Sequence, residues 1–92
     1  MNRVRLQVFY SGSVQGGGFR YTVKPLVPGF DVNGMIRNLP DGRVELIAEG
    51  SKAELEAFQQ AVRDSGLGRL IQREQPSWSE ARGEFCGFEI VR

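Results

Sequence analysis

The sequence predicts an α+β fold in which one antiparallel sheet of four to five strands carries two helices on the same face. Three observations support this prediction. The chain has 92 residues, which are enough for one hydrophobic core and too few for two. Several short segments alternate apolar and polar residues, as half-buried strands do. Two further segments have the length or the apolar spacing of helices. We therefore expect a single domain over residues 1–92.

The first strand is predicted at residues 3–10, where Val4, Leu6 and Val8 alternate with a second, mostly polar set of positions. A loop follows at residues 12–18, because a glycine inside a helix or strand costs roughly 0.5–1 kcal/mol and this segment contains four of them. We expect the loop to adopt unusual backbone angles or to approach another group closely.

The first helix should begin at Phe19 and extend to about residue 31, but Pro25 and Pro28 interrupt it. A proline inside a helix removes one hydrogen bond and clashes with the preceding turn. We expect one or two helical turns, a break near Lys24 and then an irregular path.

Two strands, at residues 33–39 and 43–49, are predicted to form a hairpin. The Pro-Asp-Gly sequence between them is a strong turn signal.

The second helix begins after Ser51, which forms a capping box with Glu54 and is followed by an apolar stripe at helical spacing. Gly66 is the expected end of this helix, because a glycine commonly follows the last helical turn in a left-handed conformation.

The remaining segments are predicted as a strand at residues 70–75, a loop at residues 76–79 and a short terminal strand at residues 85–91. The resulting order is strand, helix, two strands, helix, strand and one short extra strand. This order is typical of the split βαβ, or ferredoxin-like, arrangement (βαββαβ), which supports many unrelated functions.

The amino-acid composition excludes several kinds of active site. The chain has no histidine, so it lacks an imidazole base and histidine-ligated zinc. The single cysteine, Cys86, cannot form a disulfide within the chain, and we interpret it as a buried or half-buried apolar residue. We expect no metal and no cofactor.

The charge and hydropathy patterns indicate where the protein is located and which partners it binds. The net charge is +1, which is too small to indicate nucleic-acid binding. No apolar run approaches the ~20 residues of a membrane helix, and arginine and glutamine interrupt the N-terminal apolar residues. We expect a cytoplasmic protein with no membrane and no nucleic-acid partner.

The glycine-rich loop, closed by Arg20, suggests an anion site. Successive backbone N–H groups in such a loop can converge on an anion, and a guanidinium adds a permanent charge. A phosphoryl group or a sulfate fits this site best. No Lys-Ser/Thr pair follows the glycines, and Tyr21 occupies the position where a dinucleotide-binding loop needs glycine. The alternative is a flexible connection with a surface arginine.

Two sequence motifs resemble those of acylphosphatases. Residues 12–20, GSVQGGGFR, are similar to the family's signature loop G-x-V-Q-G-V-x-F-R, and residues 34–38, GMIRN, to its second signature G-[WY]-V-x-N. The resemblance continues through residues 41–50 and the second helix to residues 87–90, and so spans nearly the whole chain.

This resemblance implies an enzyme that hydrolyses the carboxyl–phosphate bond of acyl phosphates to a carboxylate and inorganic phosphate, by metal-independent attack of water. By position, Arg20 binds the phosphate and Asn38 orients the water. The substrate-binding set that the resemblance implies is Gln15, Gly16, Gly17, Gly18, Phe19 and Arg20. Inorganic phosphate or sulfate is then a product-like ligand, and we expect a monomer.

The chain departs from the family pattern at three places. Gly17 replaces the usual valine, so more entropy is lost when the loop orders around phosphate and we expect weaker phosphate binding. Met35 replaces an aromatic residue, which we expect to alter packing alone. Pro25 and Pro28 shorten a helix that is uninterrupted in the family.

Other interpretations remain open at this point. The fold could carry a phosphate-binding module without catalysis, and Asn38 could simply cap a loop. An RNA-recognition domain shares the element order, but residues 43–49 lack the aromatic side chains that such a domain needs. Asp41 and Glu45 could form a catalytic carboxylate pair, although we expect both to face solvent.

Overall fold

The computed structural model describes residues 2–15 and 18–91 of the chain. Within these residues the strands and α-helices are β1 (Val4–Gly12), α1 (Phe19–Val23), β2 (Val32–Asn38), β3 (Val44–Gly50), α2 (Lys52–Asp64), β4 (Ile71–Glu80) and β5 (Phe88–Val91). The two predicted helices and the predicted hairpin are confirmed. Among the helices of the described part, none has the length and apolar character needed to span a bilayer.

The sheet has the strand order β4-β1-β3-β2-β5. Its neighbouring strands are antiparallel except β2 and β5, which are parallel. The expectation of a purely antiparallel sheet therefore needs correction at one edge. Between β4 and β5 the chain crosses from one edge of the sheet to the other, and we call residues 81–87 the crossing segment. Cys86 lies in it and is exposed, so the expectation of at least partial burial is wrong.

The core lies between the sheet and the helices. The inward positions of β1 (Leu6, Val8 and Tyr10) are fully buried, as the alternation predicts. They pack together with buried residues of β2, β3, α1 and α2, which are Ile36, Val44, Leu46, Ala48, Phe19, Val23, Leu55, Phe58 and Val62. Both helices therefore cover the same face.

The first helix is short, as the prolines predict. It ends at Val23, and the chain continues as a 3-10 segment at Lys24–Gly29. Pro25 stands at the start of this segment, where its missing N–H is not needed for a helical hydrogen bond. Pro28 lies inside it.

The second helix begins at its predicted cap. The hydroxyl of Ser51 accepts a 3.2 Å hydrogen bond from the backbone N–H of Glu54. Leu55, Phe58 and Val62 form the buried stripe of α2.

Strand β4 is longer than predicted, because residues 76–79 continue the strand instead of forming a loop. Pro76 pairs with Val8 of β1, and β4 has no other neighbour in the sheet. A proline is tolerated in an edge strand, where its missing N–H need not interrupt a second ladder.

A buried carboxylate holds the crossing segment against the outer face of the sheet, the face without helices. Glu49, which is 2% exposed, accepts hydrogen bonds from the backbone N–H groups of Arg82 (2.8 Å) and Gly83 (2.9 Å) and from Arg5 Nε (2.9 Å). Arg5 also donates to Glu84. Although burial opposes ionisation of Glu49, these donors lower the pKa of its carboxyl group.

Candidate active site

The glycine-rich loop leaves β1 where this strand touches the start of β4. Gly12 has φ 124°, and the strand pairing shifts register at this residue. A Cβ atom here would lie 2.7 Å from the backbone nitrogen of Gln72. The next residue, Ser13, donates its N–H to the carbonyl of Leu70 at 2.9 Å. Glycine is therefore required for the close approach that starts the loop.

Two buried side chains anchor the loop to the core. Val14 is 1% exposed and Phe19 is 2% exposed. The ring centroids of Phe19 and Tyr10 are 5.2 Å apart. Gly18 immediately precedes α1 with φ 78°, a conformation that favours glycine. Gln15 and Gly18, which lie next to these two anchors, are exposed.

The Gln15 side chain connects this loop to the β2–β3 turn. Its Nε2 donates to the carbonyl oxygens of Leu39 and Arg43, each at 2.8 Å. The turn is also closed by its own backbone, since Leu39 N–H donates to Arg43 O at 2.8 Å. The side-chain amide therefore links two elements that are far apart in sequence.

Asn38 lies at the same end of the sheet as the loop. It pairs with Val44, and Val44 pairs with Tyr10. Residues in register share a face of the sheet, so the Asn38 side chain lies on the face that the helices cover. It belongs to the same cross-strand row as Val44 and Tyr10, and the Tyr10 ring contacts Phe19. The Oδ1 of Asn38 is buried and has no hydrogen-bond partner among the described residues. Buried acceptors are almost always paired, which makes this oxygen a candidate for function.

Arg20 is the half-buried second residue of α1. Its guanidinium carbon lies 5.6 Å from the centroid of the Tyr21 ring. Within residues 2–15 and 18–91, no carboxylate forms an ion pair with it, whereas Arg5, Arg37, Arg43 and Arg63 each pair with a carboxylate. The positive charge of Arg20 is therefore not neutralised by any described carboxylate.

A cleft of about 330 Å³ opens beside the same ring. It is lined by Tyr21, Lys24, Glu89 and Ile90, so it lies between the first helical segment and β5. Arg20 does not line this cleft, but its guanidinium lies close to the Tyr21 ring that does. Gly16 and Gly17 lie outside the described residues, and their assigned part in binding stays a prediction.

Asp41 and Glu45 do not form a carboxylate pair. Asp41 binds Arg43 Nε at 2.8 Å, and the hydrogen bond from the Arg43 backbone lowers the pKa of its carboxyl group. Glu45 binds Arg37 Nε at 2.7 Å and is 5% exposed. Asp41 is exposed as expected, but the expectation that Glu45 faces solvent is wrong, because Gln7 and Arg37 cover it.

Comparison with known families identifies the family of this chain. The family model described as Acylphosphatase matches residues 6–90, nearly the whole chain. The chain belongs to the acylphosphatase family. The resemblance seen in the two sequence motifs is confirmed, and so is the expectation of an enzyme of this family.

Relatives in this family cover almost the full length of the chain. The acylphosphatase of Acidothermus cellulolyticus is 39% identical over 94% of this chain and 85% of its own length. That of Thermobifida fusca is 35% identical over 97% of this chain and 98% of its own. The crystal structure of the acylphosphatase from Bacillus subtilis superposes with a TM-score of 0.86 at 30% identity, covering 97% of this chain and 99% of that one. The predicted α+β, ferredoxin-like class is thereby confirmed.

Sequence reasoning missed two structural features near the candidate site residues. The motif assigned Gln15 only through its backbone, whereas the structure shows a side-chain link to the turn. Nothing in the local sequence indicates that link, because it depends on where the hairpin lies. The cleft beside Tyr21 likewise depends on β5, whose position follows from the path of the crossing segment.

Proposed function

We propose that this chain hydrolyses the carboxyl–phosphate bond of acyl phosphates by direct attack of water, with Arg20 and Asn38 as its catalytic residues. One observation carries the proposal: the loop that leads to Arg20 and the buried, unpartnered Oδ1 of Asn38 occupy the same end and the same face of the sheet.

Phosphate binding is assigned to the loop amides of residues 15–19 and to Arg20. The guanidinium has no described carboxylate partner, so its donors remain available for phosphoryl oxygens. Since α1 has only five residues, we attribute binding to individual N–H groups and to Arg20 rather than to a helix dipole. Inorganic phosphate, or sulfate of similar shape, should occupy the same site.

Water activation is assigned to Asn38. The Asn38 carboxamide hydrogen-bonds the water and directs the water oxygen at phosphorus. The new P–O bond forms as the bond to the acyl oxygen breaks, and the water protons pass to the phosphate product and to solvent. The leaving carboxylate has a conjugate-acid pKa of about 4, so it needs no general acid. A loose transition state needs little deprotonation of the water.

Turnover of benzoyl phosphate, followed by ultraviolet absorbance with a chelator present, tests the proposal. Replacing Arg20 by alanine should lower kcat/KM by about 10³-fold or more, because an arginine that neutralises the transferring phosphoryl group is worth that much. Replacing Asn38 by alanine should lower kcat by about 10²-fold, the usual effect of one oriented polar group.

The chain offers matched controls. Arg82 lies in the crossing segment at the other end of the sheet, and Asn33 lies near the other end of β2. Alanine at either position should leave kcat within about twofold, since surface substitutions away from a site have small effects. Phosphate binding without turnover by the parent protein would instead indicate a non-catalytic binding module.

A monomeric state, a cytoplasmic location and the lack of a nucleic-acid partner stay predictions from the sequence. Size-exclusion chromatography of the purified protein checks the first of them, and an elution volume of a dimer would contradict it.

A further inference from the structure

The exposed Gln15 side chain makes two side-chain hydrogen bonds to one turn. Its Nε2 lies 2.8 Å from both Leu39 O and Arg43 O. These bonds are not needed to close the turn, because Leu39 N–H donates to Arg43 O and Gly42 N–H donates to Leu39 O. What they add is a fixed position of the loop relative to the turn.

The residue that benefits from this link is Asn38, which directly precedes Leu39. On the β5 side, the described pairing of β2 ends at Arg37 with Val91, so among residues 2–15 and 18–91 the strand partner of Asn38 is Val44 of β3. The Oδ1 of Asn38 has no hydrogen-bond partner among the described residues. The orientation of its side chain therefore depends on the backbone around it, and Gln15 holds that backbone one residue away.

We propose that Gln15 is a positioning residue whose side chain sets the distance between the phosphate-binding loop and the Asn38 carboxamide. This inference rests on the proposed function of Asn38. A carboxamide that is displaced by a fraction of an ångström still leaves the phosphate site intact, but it directs water less well. Gln15 should thus act on kcat and hardly on phosphate affinity.

The test begins with Gln15→Met, which keeps the length of the side chain and removes both donors. We expect kcat on benzoyl phosphate to fall by about 10- to 100-fold, because small misplacements of a catalytic group have effects of this size. The inhibition constant of inorganic phosphate should change by less than about twofold. The urea midpoint shows whether the variant is folded, and Gln60→Met, at an exposed position of α2, is the matched control and should leave kcat unchanged.

Gln15→Glu provides a second measurement, the pH dependence of kcat, which would not change if the role of Gln15 were only structural. At pH 7 its carboxylate cannot donate to either carbonyl, so kcat should be as low as in Gln15→Met. As the pH falls below about 4, the protonated carboxyl group gains one O–H donor. The ratio of its kcat to that of the parent protein should then rise, while the ratio for Gln15→Met stays constant.

A double-mutant cycle with Asn38→Ala distinguishes whether Gln15 acts through Asn38 or independently of it. If Gln15 acts through Asn38, Gln15→Met should cause no further loss of kcat in the Asn38→Ala background. An equal fold loss in both backgrounds, or a loss confined to phosphate affinity, overturns the positioning role. Absence of turnover by the parent protein overturns the proposed function and this inference with it.

Discussion

At the level of single residues, the site separates anchoring from chemistry. Val14 and Phe19 are buried and hold the loop, and burying such side chains is worth roughly 1.5–3 kcal/mol each. Arg20 and Asn38 instead keep polar groups that no described side chain satisfies. The resemblance assigned catalytic roles to Arg20 and Asn38, which stay predictions, and it gave no anchoring role to Val14 or Phe19. The two motifs could not predict the Gln15 link, which joins residues 24 and 28 positions apart.

Gly17→Val should strengthen phosphate binding. A valine restricts the loop before phosphate binds, and replacing glycine at a compatible position is worth about 0.4–1 kcal/mol, or about two- to fivefold in affinity. Competitive inhibition of benzoyl phosphate hydrolysis by inorganic phosphate measures the effect. Gly29→Val, at an exposed glycine outside the loop, is the control. An unchanged inhibition constant for Gly17→Val would count against the proposed entropic cost of this glycine.

Tyr21→Ala should change substrate preference more than overall activity. The ring lines the cleft and lies 5.6 Å from the Arg20 guanidinium carbon, so we expect it to pack against a bulky acyl group. An aromatic contact is worth about 0.5–1.5 kcal/mol, so kcat/KM for benzoyl phosphate should fall about fivefold relative to acetyl phosphate. Trp78→Ala removes another exposed aromatic side chain and should leave this ratio unchanged. Equal losses with both substrates would show that the cleft does not bind the acyl group.

At the level of elements, local signals predicted where segments begin, and tertiary context decided how they continue. The prolines ended α1 at Val23, as their covalent geometry requires. The sequence predicts a loop at residues 76–79, yet Pro76 lies within β4, because only the strand order reveals that β4 is at an edge. The parallel pairing of β5 was missed for a similar reason: no local pattern encodes the path of the crossing segment.

The crossing segment should make stability sensitive to acid. The pKa of Glu49 is lowered in the folded state, so the stability it contributes is complete above the ordinary glutamate pKa of about 4.3 and is lost as the pH falls through the lower folded value. Glu49→Gln should reduce the free energy of unfolding at pH 7 by about 2 kcal/mol, since hydrogen bonds to a charged group are weakened. It should also flatten the decline of that free energy below about pH 4.

Urea denaturation between pH 3 and pH 7 measures both effects. Glu56→Gln, at an exposed position of α2, is the matched control and should preserve the acid dependence of the parent protein. The interpretation fails if both variants lose the same amount of stability at pH 7.

At the level of the whole molecule, composition and topology together limit the chemistry. The chain has no histidine. No cluster of three or more histidine, cysteine or acidic residues suited to a metal ion occurs in residues 2–15 and 18–91.

The family and the fold class could be predicted from the sequence because the motifs span nearly the whole chain, while the prediction of one domain over residues 1–92 stays a prediction.

The kcat for benzoyl phosphate should therefore be constant between about pH 6 and pH 8, since no side chain with an ordinary pKa in this range is present. A chelator should leave it unchanged. Steady-state kinetics across this range, with and without the chelator, provide the check. A bell-shaped profile centred near neutral pH, or activity restored only by added metal, would contradict water attack without a general base.

The strand order has one consequence for how the molecule is made. The first strand of the chain lies between β3 and β4, so both of its neighbours come from segments translated much later. On a ribosome adding about 5–20 residues per second, this strand waits for seconds with both edges open. A nascent chain stopped before residue 71 lacks β4, so one edge of β1 is left unpaired and open to pairing with another chain.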